Sequence, residues 1–147
     1  MIGVLLVSHG NMAAGMKDSV TMIVGEQDKF ESLSLIPGQD VNQLKTDLFN
    51  CSESLDSGDG VLVFVDLYGA SPYNAAMKCV PQWRDLGMNV RVVTGMSLPM
   101  VINAVCNRDS LAIQALATEC IEAGRENIQD AIANITHSNH VQSEDDY

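Results

Sequence analysis

Two short segments, residues 2–8 and Gly60–Asp66, are apolar at almost every position. A strand with one wet face alternates apolar and polar side chains, so a run without alternation must be covered on both faces. Such strands sit in the middle of a mainly parallel sheet with helices packed on either side. Neither run approaches the length of a membrane span. Whatever else the chain does, it must supply helices to cover these strands.

The intervening residues supply them. Met12 to Val24 carries Met12, Met16, Val20, Ile23 and Val24 near helical spacing, and Gly25 is placed to cap the end. Phe30–Ile36 reads as a strand through Leu33, Leu35 and Ile36, closed by the Pro37-Gly38 turn. Asp40 to Leu55 returns to helical spacing through Val41, Leu44 and Leu48, and Ser57–Gly60 is a loop. Ser71-Pro72 is a helix start, with serine expected as N-cap and proline at the first helical position. That helix is expected to end or kink near Pro81. Asn89–Thr94 is a further strand, Gly95–Pro99 leads into another helix, and Ser110–Arg125 forms the next. The order β-α-β-α-β-α-β-α-α predicts one doubly wound α/β domain over residues 1–136, with sheet order 2-1-3-4. Residues 137–147 read as a polar, acidic and disordered tail.

A chain of 147 residues that is 46% hydrophobic can bury the core this fold needs. Its 8 basic and 19 acidic residues give a net charge of −11. That field repels nucleic acids and anionic membranes and favours a partner with a basic docking face. The N-terminus shows no basic segment followed by a cleavable apolar stretch. Cys51, Cys79, Cys106 and Cys120 are scattered, with no close pair of metal-ligand or redox type. They read as reduced, mostly buried small hydrophobes in a cytoplasmic protein.

Candidate chemistry gathers at the strand ends. In a doubly wound sheet, ligands bind beyond the carboxyl ends of the strands, where strand order reverses. With order 2-1-3-4, His9 at the end of the first strand and Asp66 at the end of the third become neighbours. The helix start at Ser71 points to the same place. A carboxylate bonded to one ring nitrogen of a histidine fixes its tautomer and leaves the other lone pair free to attack. Free N–H groups at a helix start hold an anion such as phosphate, Ser71 adds a hydroxyl, and Gly69 lets the backbone come close. Each residue also has a plainer reading: His9 as a hydrogen-bonded strand end, Asp66 as a turn cap, Ser71-Pro72 as an ordinary helix start. Spacing alone leaves both readings open, and convergence at one sheet edge favours the functional one. No cysteine or further histidine lies at comparable spacing for a metal; His137 and His140 stand in the tail.

Longer stretches narrow the choice. Val7-Ser8-His9-Gly10, Gly25-Glu26, Pro37-Gly38-Gln39, the block Gly60 to Ala76, Gly95-Met96-Ser97-Leu98-Pro99-Met100 and Ala123-Gly124-Arg125-Glu126 run from one end of the domain to the other. Together, from Met1 to about Ile132, they resemble the enzyme IIA domain of the mannose-type (mannose/fructose/sorbose) family of the bacterial sugar phosphotransferase system. The resemblance implies that His9 carries a phosphoryl group, that Asp66 orients its imidazole and that Ser71 lies at the phosphoryl site. It implies transfer from the phosphocarrier protein HPr to His9 and onward to a sugar-specific enzyme IIB, without metal or organic cofactor. Sugar choice in this system rests mainly with enzyme IIB and the membrane subunits. Some members are fused to IIB through an Ala/Pro-rich linker; here the acidic tail makes a separate IIB chain the expectation. The family also commonly dimerises by exchanging a C-terminal strand. Ile128, Ala131, Ile132 and Ile135 nevertheless fall at helical spacing, so the local pattern favours helix there.

Three rival readings stand beside it, one of them a non-catalytic binding module of the same fold, which a phosphorylation assay separates from a carrier. The phosphotransfer subunit of dihydroxyacetone kinase also uses a strand-end histidine, but the Leu67–Pro72 block fits the sugar-transport family better. Small metal chelatases can open with a strand leading to His-Gly, but they need a second metal-binding histidine in the fold.

Overall fold

A computed structural model describes residues 1–136. The element order is β1 (Gly3–His9), α1 (Met12–Val24), β2 (Phe30–Leu35), α2 (Val41–Leu55), β3 (Val61–Val65), α3 (Ser71–Asp85), β4 (Val90–Val93), α4 (Leu98–Asn107) and α5 (Ile113–Glu126). The four strands form one sheet in the order β2-β1-β3-β4, and all neighbours are parallel. This is the α/β architecture and strand order that the sequence predicts. Residues 137–147, with His137, His140 and the expected tail, lie outside the described residues.

The absence of alternation in β1 and β3 has its cause in two separate cores. Val4 and Leu6 of β1 join Leu62 and Phe64 of β3 in one cluster with residues of α1, α4 and α5. Leu5 and Val7 join Val61, Val63 and Val65 in the other, against α2 and α3. Every β3 side chain is buried, and so is every β1 residue before His9. At roughly 1.5–3 kcal/mol for each large apolar side chain removed from water, this central pair contributes much of the hydrophobic stabilisation. The pairing runs from Gly3 with Val61 to Val7 with Val65. That register places the residues just beyond, His9 and Asp66, at one end.

Local boundaries follow local chemistry. Asp40 caps α2, its Oδ1 accepting the N–H of Asn42 at 2.9 Å. The start of α3 differs from the expected one. Asn74 donates the first intrahelical bond to the carbonyl of Ala70 at 2.9 Å, so Ala70 is the N-cap and Ser71 the first helical residue. The hydroxyl of Ser71 therefore makes no capping bond. Nor does α3 end at Pro81; it continues to Asp85. Pro81 is exposed, where loss of one backbone bond is least costly. Residues 131–136 are helical, as the isoleucine spacing indicated, and among the described residues no strand follows β4.

At the amino ends of the strands, Arg108 closes the molecule. Its guanidinium is 3% exposed and donates to the carbonyls of Ile2 (3.3 Å), Asp28 (2.6 Å) and Lys29 (3.2 Å), and to Gln27 Oε1 (3.5 Å). Burial pushes its pKa down, while Asp109 and Asp28 pull it back up. The arginine ties the end of α4 to β1 and to the turn before β2.

Candidate active site

The carboxyl end of the sheet is built around one histidine. His9 is the last residue of β1, and Gly10 follows at φ +53°, a conformation glycine adopts without steric cost. The Gly10 N–H donates to the carbonyl of Leu35 at the end of β2, at 2.8 Å. The His9 N–H donates to Asp66 Oδ2 at 2.8 Å, and the ring Nδ1 lies 2.7 Å from that same oxygen. Asp66 Oδ1 accepts the N–H of Leu67 at 2.9 Å. Asp66 thus grips both the backbone and the ring of His9.

Partial burial opposes ionisation of Asp66. The His9 backbone N–H, the His9 ring and the Leu67 N–H together outweigh it and hold the carboxyl below the ordinary aspartate value. Against a carboxylate, Nδ1 is the protonated ring nitrogen and Nε2 carries the lone pair. The side chain of His9 remains 48% exposed while that of Asp66 is only 10% exposed. No described residue bonds Nε2. One edge of the ring is fixed, and the other is open to a reaction partner.

Helix α3 starts a few residues after Asp66, and it packs against β1 as well as β3. Its first turn holds the uncommitted hydroxyl of Ser71 and the N–H groups of Ser71 and Tyr73, which precede the first intrahelical bond. Gly69, at φ +79°, turns the chain into it. Donors in a first helical turn, reinforced by the helix dipole, suit a phosphoryl group's oxygens. The sheet edge therefore brings His9, Asp66 and the Ser71 turn to one end, as the topology required. It also exposes Met12 at the start of α1, and Ile36, Leu67 and Tyr68 on the turns that follow β2 and β3.

Other nucleophiles are not offered here. Burial pushes the Cys120 thiol up to about 12, with Glu119 adding to it, and pushes Cys79 up to about 11 against the pull of Lys45. Cys79 and Cys120 are buried, Cys51 is half-buried and Cys106 is exposed, and all four are unpaired. Among the described residues, no three His, Cys, Asp or Glu side chains gather into a metal site. No described helix is long and apolar enough to cross a membrane.

One contributor carries no motif of its own. Ser8, fully buried, accepts the N–H of Ala13 in the first turn of α1 on its hydroxyl at 2.7 Å. Its traces in the sequence are the polar residue that ends an otherwise apolar run and its place in Val7-Ser8-His9-Gly10.

Known proteins resemble this chain over most of its length. A family model described as "PTS system fructose IIA component" matches residues 3–121. The chain is 28% identical over 130 residues to the mannose-specific EIIAB component of the phosphotransferase system in Escherichia coli K12. That alignment covers 87% of this chain but only 39% of the longer relative. It is 27% identical to the fructose-specific EIIA component of Bacillus subtilis, covering 79% of this chain and 77% of that protein. Among solved structures, component EIIA from Streptococcus agalactiae superposes with a TM-score of 0.80 at 27% identity, covering 88% of this chain and 97% of that one. With the strand order, the paired strand ends and these likenesses in agreement, the chain belongs to the mannose/fructose/sorbose family of phosphotransferase-system enzyme IIA components.

Proposed function

We propose that this chain accepts a phosphoryl group from HPr on Nε2 of His9 and passes it to a sugar-specific enzyme IIB. The observation that carries the reading is the 2.7 Å contact between His9 Nδ1 and Asp66 Oδ2 on a half-exposed ring. The Nε2 lone pair attacks phosphorus in line as the bond from phosphorus to the donor's imidazole nitrogen breaks. That electron pair returns to the donor ring. Positive charge grows on the His9 ring as the new P–N bond forms, and the Asp66 carboxylate, bonded to Nδ1–H, stabilises it. The N–H groups of the α3 first turn and the Ser71 hydroxyl receive the phosphoryl oxygens. Positioning and electrostatics suffice for a transfer of this kind, so no cofactor enters the scheme.

IIB would be a separate chain; the Bacillus subtilis relative is named as an EIIA component alone. The protein would work in the cytoplasm, where its net negative charge speeds encounter with a basic carrier. A homodimer fits the open edge of β4, the last strand of the sheet. Beside that edge runs a groove of about 550 Å³ lined by Met77, Val92, Ile121 and Ile128 among others.

The test is intact mass after incubation with phosphoenolpyruvate, enzyme I and HPr, comparing wild type with His9→Ala. One acid-labile phosphoryl adduct, absent from the variant, is expected. A folded wild type that gains no adduct from active donors overturns the reading.

A further inference from the structure

Strand alternation sends neighbouring side chains of β1 to opposite faces, so Ser8 and His9 point away from each other. Ser8 faces the α1 side with Val4 and Leu6, whereas His9 shares the face of Leu5 and Val7. The two residues nevertheless belong to one corner. The N–H of His9 is held by Asp66 after β3, the N–H of Gly10 by Leu35 of β2, and the hydroxyl of Ser8 holds the N–H of Ala13 in α1. Each bond pulls the corner toward a different element.

The third bond has no substitute. Asn11 occupies the N-cap position of α1, yet its side chain makes no capping bond. Ser8 takes over from the strand, five residues upstream, through a buried contact. It thereby fixes the length and angle of the link that contains His9, Gly10 and Asn11. The hydroxyl's remaining contact is a long one, 3.5 Å to the carbonyl of Gly10.

We propose that Ser8 is a positioning residue for phosphoryl transfer: by anchoring the first turn of α1 to the end of β1, it holds the His9 backbone where Nδ1 meets Asp66 and Nε2 meets the incoming phosphorus. This rests on the reading of His9 as the acceptor. Without the anchor, the Asp66 and Leu35 bonds remain, but the ring samples orientations in which Nδ1 leaves the carboxylate. The share of molecules with Nε2 ready to attack then falls.

Ser8→Ala tests this, with Ser8→Thr as the conservative control that returns a hydroxyl. The readouts are the rate of phosphoryl acceptance from phosphorylated HPr and the long-range ¹H–¹⁵N spectrum of the His9 ring. The rate should fall about five- to tenfold, the scale of one buried hydrogen bond acting on geometry. The ring signals should shift from the single Nδ1–H tautomer toward a mixture, and Ser8→Thr should restore both. A merely structural role would lower the urea midpoint and leave the ring spectrum of the folded protein unchanged; that result overturns the proposal, as does a wild-type rate. If Ser8→Ala does not fold, Ser8→Cys, which keeps the bulk and weakens the acceptor, is judged by the same two readouts. Should the wild type itself accept no phosphoryl group, the carrier reading fails. The ring spectrum would still decide whether Ser8 positions His9.

Discussion

The two ends of the sheet each carry one nitrogen-rich side chain, and they use it in opposite ways. At the amino ends, Arg108 is 3% exposed and spends its guanidinium on four acceptors contributed by residues 2 and 27–29. At the carboxyl ends, His9 is 48% exposed and commits a single ring nitrogen to one carboxylate oxygen. A buried cation whose two terminal nitrogens are bonded to neighbouring oxygens is a clasp: its one uncommitted nitrogen, Nε, is buried away from any reaction partner. A ring held at one edge and open at the other is a tool. Both side chains are held in place and both keep an unbonded nitrogen; exposure of that nitrogen separates a site from a staple.

Substitutions at both ends can break this comparison. His9→Ala should abolish phosphoryl acceptance completely, while the unfolding free energy from urea titration stays within about 0.5 kcal/mol of wild type. Trp83, the chain's single tryptophan and a buried one, reports the unfolding. Arg108→Leu should do the reverse. Orphaning its carbonyl acceptors should lower stability by about 3 kcal/mol, with transfer by the folded fraction unchanged. A stable Arg108→Leu protein that no longer accepts phosphoryl groups would mean that the clasp also serves the site.

Asp66→Asn should slow acceptance by about a hundredfold, because the amide cannot answer the positive charge that develops on the ring. A rate within twofold of wild type, measured by quenched-flow mass analysis, would reduce Asp66 to a turn cap. Ser71→Ala should cost roughly 1 kcal/mol of transition-state stabilisation, about a fivefold slower step, since one neutral hydrogen bond is lost. Equal transfer rates for Ser71→Ala and wild type would remove the hydroxyl from the scheme.

The smallest effect sharpens the comparison by pH. The Asp66 carboxyl titrates below its ordinary value of about 4 in the folded protein, so its stabilisation is complete above that value. It disappears as pH falls through the lowered folded-state pKa. The part of the stability gap between wild type and Asp66→Asn that comes from this carboxylate should therefore be fully present above the ordinary aspartate value and narrow as pH falls below it. A gap that widens in acid would reverse the sign assigned to this carboxylate.

How much of this was legible beforehand differs between the ends. The unalternating runs of β1 and β3 require two-sided burial, and parallel β-α connections then bring their carboxyl ends together. His9 and Asp66 follow from that, because each is the polar residue on which a buried run stops. The helix of α3 was legible, but its cap was not: Ser71 precedes proline as N-caps do, and only the Asn74–Ala70 bond shows that the helix begins one residue earlier. Arg108 left no local signal at all. All four of its partners lie 79 to 106 residues away, and three of them are backbone carbonyls, which have no residue type. Ser8 is intermediate. A hydroxyl at the end of an apolar run signals that some donor must meet it, without saying which.

The separation of His9 from Asp66 has a consequence in time. The two residues are 57 positions apart, and the oxygen that orients the imidazole belongs to the residue just after β3, made long after β1. During synthesis His9 leaves the ribosome early as an ordinary, freely rotating histidine. Under the proposed carrier role it gains its orienting carboxylate only once β3 has docked beside β1, so an unfinished chain would carry the nucleophile without the group that presents it.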